Sequence, residues 1–122
     1  MNQLKLLFVT IILISCSRPS DLPDPLGAGW NGKDVCEIEV ENEKIRVLKC
    51  TFPPGVGHER HYHAPHFCKA LKGSKFRLTD STGTREADFP TGASYWSDGV
   101  EWHEALNIGD SVAEILIIEL KN

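Results

Sequence analysis

From Val35 onward, apolar and polar residues alternate with a period of two and do not recur at helical spacing. Cys36, Ile38 and Val40 alternate with Glu37, Glu39 and Glu41, the pattern of a strand with one face buried. Asn42-Glu43 turns the chain into a second strand, Lys44 to Phe52, which Pro53-Pro54-Gly55 stops. Further strands are predicted at Phe67 to Leu71, Lys75 to Thr79, Thr84 to Phe89, Ala93 to Trp96 and Val100 to Asn107. Turn residues separate them, at Lys72-Gly73-Ser74, Asp80-Ser81-Thr82-Gly83, Pro90-Thr91-Gly92 and Asp98-Gly99. After Gly109-Asp110, Ser111 to Leu120 is a near-continuous apolar run of the buried-strand type. Many short strands at this interval predict an all-β fold, either a sandwich or a jelly-roll barrel.

The first residues follow a different rule. Lys5 precedes an apolar run, Leu6 to Ile14, too short to span a bilayer and of the length found in the core of a signal peptide. It ends in Leu13-Ile14-Ser15-Cys16, which resembles the lipobox of bacterial lipoproteins. That resemblance implies cleavage before Cys16 and a lipid on its thiol. The alternative is an ordinary cleaved signal peptide with an incidental cysteine. Proline and glycine then crowd the stretch up to Asp34, which predicts an extended tether from Cys16 onward and a folded domain over 35–122. The protein is thus expected to stand on the extracytoplasmic side of a bacterial envelope, periplasmic or outward-facing, touching membrane only through its anchor.

Composition narrows the partners. A chain of 122 residues with 41% hydrophobic and 25% charged residues has room for one folded domain and does not read as disordered. Its net charge of −4, with basic residues scattered, gives no footprint for nucleic acid. Small molecules or proteins are the expected partners.

The candidate chemistry sits at His58-Glu59-Arg60-His61-Tyr62-His63-Ala64-Pro65-His66, which holds four of the five histidines, with His103 far downstream. Neutral imidazole is the commonest metal ligand, so this density points to a metal site. Arg60 to His63 reads as strand, which turns His61 and His63 the same way. If Ala64-Pro65 is a hairpin loop, His66 lies opposite His63 and Cys68 opposite His61; a four-residue loop pairs His63 with Cys68 instead. In both registers 61, 63, 66 and 68 share one face. His58 has the other parity and is expected to face solvent or to stand behind the ligands.

In these residues the chain resembles the cupin superfamily. Gly55, His61, His63 and Gly73 follow the spacing of its first motif, and Gly92, His103 and Asn107 that of its second, with Asp98 and Val100 where the family has Pro and Gly. The resemblance implies a cupin-like jelly-roll barrel, a double-stranded β-helix, over the whole domain, of a kind that often pairs into homodimers. It also implies a divalent metal, Fe(II) first and Zn, Mn, Ni or Cu as alternatives, held by His61, His63, His66 and His103. The family's glutamate position falls on Cys68 or His66, and no carboxylate replaces it. A Cys68 thiolate would favour a softer metal such as zinc, but a small buried hydrophobe is the preferred reading of Cys68. Oxidation is permitted outside the cytoplasm, and Cys36 faces Cys50 across a three-residue loop, or Lys49 across a two-residue one. Two functions follow: a metal-dependent oxygenase or isomerase acting on a small polar metabolite, or a barrel that binds a ligand or metal without turnover.

Overall fold

The computed structural model describes residues 21–122, so the expected signal segment and the expected lipidation at Cys16 lie outside the described residues. The alternating stretches form strands β1 (Gly29–Trp30), β2 (Lys33–Asp34), β3 (Cys36–Glu41), β4 (Ile45–Phe52), β5 (Gly57–His63) and β6 (His66–Lys72). They are followed by β7 (Ser74–Asp80), β8 (Gly83–Phe89), β9 (Ser94–Ser97), β10 (Val100–Asn107) and β11 (Ala113–Leu120). Among the described residues there is no helix, and the all-β expectation holds.

Two antiparallel sheets enclose the core. One has the order β5-β10-β7-β8 and the other β3-β4-β11-β6-β9. Their facing sides meet at Leu48, Cys50 and Phe52 of β4, Cys68 and Ala70 of β6, Ala113, Ile115 and Ile117 of β11, and Phe76 of β7. These are the period-two positions of each strand, so the alternation places them in one apolar layer between the sheets.

The expected hairpin across Ala64-Pro65 does not form. β5 pairs with β10, whereas β6 pairs with β11 and β9 in the other sheet. Ala64-Pro65 is a corner at which the chain changes sheets, so neither expected register, His63 opposite His66 or His63 opposite Cys68, exists. The shared face survives for a different reason: strands in both sheets point alternate residues into the same interior, and His61, His63, His66 and Cys68 are all buried.

The described part of the expected tether is packed, not extended. Asp24 pairs with Arg46 at 2.6 Å, the Tyr62 amide donates to the Pro23 carbonyl at 3.2 Å, and Ala28 is buried. Trp30 lies over Gly57, where an added Cβ would collide with its ring. Proline and glycine density signalled an irregular backbone but could not distinguish a free strand from one fastened by ion pairs and main-chain hydrogen bonds.

Cys36 and Cys50 are register neighbours and form a disulfide. The turn is closed by Asn42 and Ile45, and a bulge at Glu39, between Ile38 and Val40, shifts the register so that the cysteines meet. The bridge closes a loop with a sequence separation of 14. Replacing both cysteines by alanine is expected to lower stability by about 3 kcal/mol, read from urea unfolding without reductant.

Asn107, fully buried, ties the end of β10 to three other segments. Its Nδ2 donates to the Phe52 carbonyl at 2.7 Å and the Ser111 carbonyl at 2.8 Å. Its Oδ1 accepts from Ser74 Oγ at 2.7 Å and the Gly109 amide at 3.0 Å. Asn107→Ala strands these groups in the interior and is expected to cost about 2–4 kcal/mol in a urea unfolding measurement.

Candidate metal centre

His61 and His103 are direct register partners on β5 and β10, and His63 lies two residues along β5 on the same inner face. Their Nε2 atoms form a triangle with sides of 3.0 Å (His61–His63), 2.9 Å (His63–His103) and 3.0 Å (His61–His103). A neutral imidazole nitrogen either donates or accepts one proton. Three in mutual contact therefore always leave a pair with lone pair against lone pair or proton against proton. A cation at the centre removes the conflict by accepting all three lone pairs, so the donor set fits a metal ion. The local bonding agrees, because the Nδ1 proton of His61 is donated to the Glu59 carbonyl at 2.6 Å, which leaves its Nε2 with a free lone pair.

The electrostatics also keep the cluster neutral. Burial, then the neighbouring His61, His58 and His66, pushes His103 down to about 3, with Asp80 acting in the opposite sense. Burial lowers His61 as well, and burial followed by the facing His103 lowers His63. Neutral nitrogens at ordinary pH are what a metal ligand requires.

His66 stands beside the triangle and not in it. The group of ligand atoms within 4.8 Å of one another comprises His61, His63 and His103. The His66 ring stacks on His63 with centroids 4.4 Å apart, and its Nδ1 proton goes to the Ala64 carbonyl at 2.8 Å. Because β6 belongs to the other sheet, His66 reaches the site from across the corner. Cys68 lies in the apolar core, where burial pushes its thiol up to about 11 despite contact with the Tyr95 hydroxyl. It carries no thiolate at neutral pH and behaves as the small hydrophobe expected.

His58 does not face solvent. Its ring packs on His61 at a centroid separation of 3.8 Å, and its Nε2 proton is donated to the Pro25 carbonyl at 2.9 Å. The register of β5 against β10 slips between His61 and His58, so that Glu59 and Arg60 are both exposed and parity resumes one residue late. That bulge is why strict alternation misplaced His58. Burial, then His61, pushes His58 down to about 3. Glu59, the nearest acid in sequence, accepts instead from the Asn31 amide at 3.0 Å and lies outside the site.

Two inward polar residues were hidden in segments read as a turn and an ordinary strand. Asp80 is the register partner of His103, and Arg85 Nη1 donates to its Oδ2 at 2.8 Å. The Thr82 hydroxyl and Arg85 hold the Asp80 carboxyl well below the usual range. The signal lies in the alternation: Phe76, Leu78 and Asp80 share one face of β7, and Arg85, Ala87 and Phe89 one face of β8. A further inward charge, Glu119 on β11, pairs with Arg46 at 2.7 Å and interrupts the strand expected to be apolar.

A cavity of about 490 Å³ opens from the histidines. His63, His66 and His103 form its polar end, Phe52, Phe76, Ile115 and Ile117 its apolar wall, and Arg85, Tyr95 and Trp96 lie on the strands at its rim. This volume falls in the range of small-molecule pockets, about 300–1,000 Å³.

No protein-family model matches the chain, and no curated protein matches it. Solved structures do. A cupin domain from Bordetella pertussis Tohama I superposes with a TM-score of 0.68 at 22% identity, covering 72% of this chain and 93% of that one. An uncharacterized conserved protein with a double-stranded β-helix domain from Klebsiella pneumoniae gives 0.58 at 14% identity, covering 72% of each chain. A cupin superfamily protein from Desulfitobacterium hafniense gives 0.55 at 12% identity, covering 71% of this chain and 76% of that one. At these identities the likeness establishes architecture, and the described domain has the cupin fold, with a cluster of three histidines inside its barrel.

Proposed function

We propose that the protein is an envelope-tethered metalloprotein that holds a divalent ion on His61, His63 and His103 and acts on a small metabolite as an oxygenase or isomerase. The observation that carries this reading is the Nε2 triangle. With metal–nitrogen distances of about 2.1 Å, neighbouring ligands stand about 3.0 Å apart at a right angle and about 3.4 Å apart at a tetrahedral one. Sides of 2.9 and 3.0 Å place the three nitrogens at the separation of ligands that share one divalent ion, with Fe(II) as the first candidate and Zn, Mn, Ni or Cu as alternatives. Such an ion supplies positive charge and open positions for chelating an enolisable or anionic substrate, or for activating dioxygen.

The chain's own residues do the rest. His58 backs the His61 ring, and the Glu59 carbonyl fixes its tautomer. Phe52, Phe76, Ile115 and Ile117 give the cavity a dry wall. The disulfide supports an oxidising compartment, and the lipobox-like Leu13-Ile14-Ser15-Cys16 supports a lipid anchor.

The test is oxygen uptake by anaerobically Fe(II)-loaded protein over a panel of small acids and ketones, with isomerisation followed on the same panel. Turnover lost in His63→Ala is the expected result. Tight binding of a panel member without turnover would favour the non-catalytic barrel. Fractionation of Cys16→Ser tests the anchor, and this variant is expected to leave the membrane fraction.

A further inference from the structure

We infer that Arg85 anchors a carboxylate at the rim of the cavity, so that the site takes a small organic acid with an apolar body. The inference rests on the proposed function in reading the cavity as the substrate pocket, and it does not depend on which metal is bound.

Arg85 is the one lysine or arginine among the residues lining the cavity. It shares the inner face of β8 with Ala87 and Phe89, while Glu86 lies on the outer face beside Arg77 of β7. Arg85 is an exposed residue that also lines the cavity, and it pairs with Asp80. Its position is fixed. Asp80 Oδ2 takes Nη1 at 2.8 Å, and Asp80 Oδ1 is held in turn by the Thr82 amide at 2.9 Å and the Thr82 hydroxyl at 2.5 Å. A guanidinium carries five N–H donors in a rigid fork. Asp80 engages a single nitrogen, and among the described residues no other acceptor bonds Arg85. The remaining donors form the planar array that grips a carboxylate with two parallel bonds.

The placement matters for chemistry. Asp80 is the register partner of His103, so Arg85 sits one side chain from the histidine triangle. An acid gripped by Arg85 would enter the cavity that the histidines share with Phe52, Phe76, Ile115 and Ile117. The other carboxylate on the cavity, Asp88, is exposed and alternates to the outside of β8.

Calorimetric titration with 3-phenylpropionate and with its uncharged amide tests the anchor, on chelator-treated protein and again after metal loading. The wild type is expected to prefer the acid. Arg85→Gln is expected to weaken acid binding at least about tenfold, as loss of a charge-assisted hydrogen bond does, with the amide changed less than about twofold. Arg85→Lys retains part of the preference, and Arg77→Gln, on the outer face, retains all of it. Because Arg85 is 54% exposed, its substitution leaves the fold intact, checked by an unchanged thermal midpoint. Equal binding of acid and amide by the wild type, binding of neither, or an Arg85→Gln variant with unchanged acid affinity would each overturn the assignment. The metal reading fails or stands separately. An Arg85-dependent preference in protein that takes up no metal upholds the anchor alone, and a metal-loaded protein whose preference ignores Arg85 overturns the anchor alone.

Discussion

Gly73→Val is expected to lower stability by at least about 3 kcal/mol. A Cβ at position 73 would overlap the Phe89 carbonyl oxygen, the Thr91 nitrogen and the Pro90 carbonyl carbon. These are backbone atoms, so no rotamer change relieves the clash. The corner they form is also fastened, because the Gly73 amide donates to Thr91 Oγ1 at 2.9 Å and the Gly92 amide to the Ala70 carbonyl at 2.8 Å. A domain of this size has about 5–15 kcal/mol in total, so a loss of this order shifts the urea midpoint far or abolishes folding. Thr91→Val removes the side-chain hydrogen bond alone and is expected to cost about 1 kcal/mol. Equal effects from the two variants would show that the close approach at Gly73 is not what holds the corner.

Acid is expected to unfold the metal-free protein through its buried histidines, of which His103 would hold the ion and His58 packs behind His61. His58 and His103 have folded values near 3 against an ordinary value of 6.5. Below about pH 6.5 the unfolded chain therefore binds more protons than the folded one. The stability these groups contribute is present above pH 6.5 and is lost as pH falls toward 3. The slope is about 1.4 kcal/mol per pH unit for each histidine that must charge, and the loss totals several kcal/mol. Urea midpoints of chelator-treated protein at steps between pH 7.5 and 4 would show it. A flat profile would mean that the histidines are not buried neutral in the metal-free state. Bound metal is expected to steepen the profile, because protons and the ion compete for the same nitrogens.

The strands were legible where a half-buried strand writes its buried face into every second residue, as Phe76 and Leu78 show between Lys75, Arg77 and Thr79. Partners were less legible. Pro65 marks a break after His63, but a break does not reveal whether the chain turns back on itself or crosses to the opposite sheet. That choice is made by β10 and β11, far away in sequence. Strict alternation also fails at a bulge, which is why the parity of His58 misled while its alternative place, behind the ligand His61, held, and why the cysteine register was reached through the wrong turn. The inward charges Asp80, Arg85 and Glu119 are visible in the period-two pattern once the sheets are known. Before that, Asp80 beside Ser81-Thr82-Gly83 reads as turn chemistry and nothing more. The three histidines come together because two share a strand parity and the third is their neighbour across one pair of strands.

Metal content of protein purified without an affinity histidine tag, set beside the His61→Ala/His103→Ala double variant, decides whether the histidine triangle holds an ion. About one divalent ion per chain in the wild type, and none in a folded double variant, is the predicted result. A folded wild type that arrives without metal and takes up none of Fe(II), Zn(II), Mn(II), Ni(II) or Cu(II), or a double variant that keeps its ion, would contradict the account.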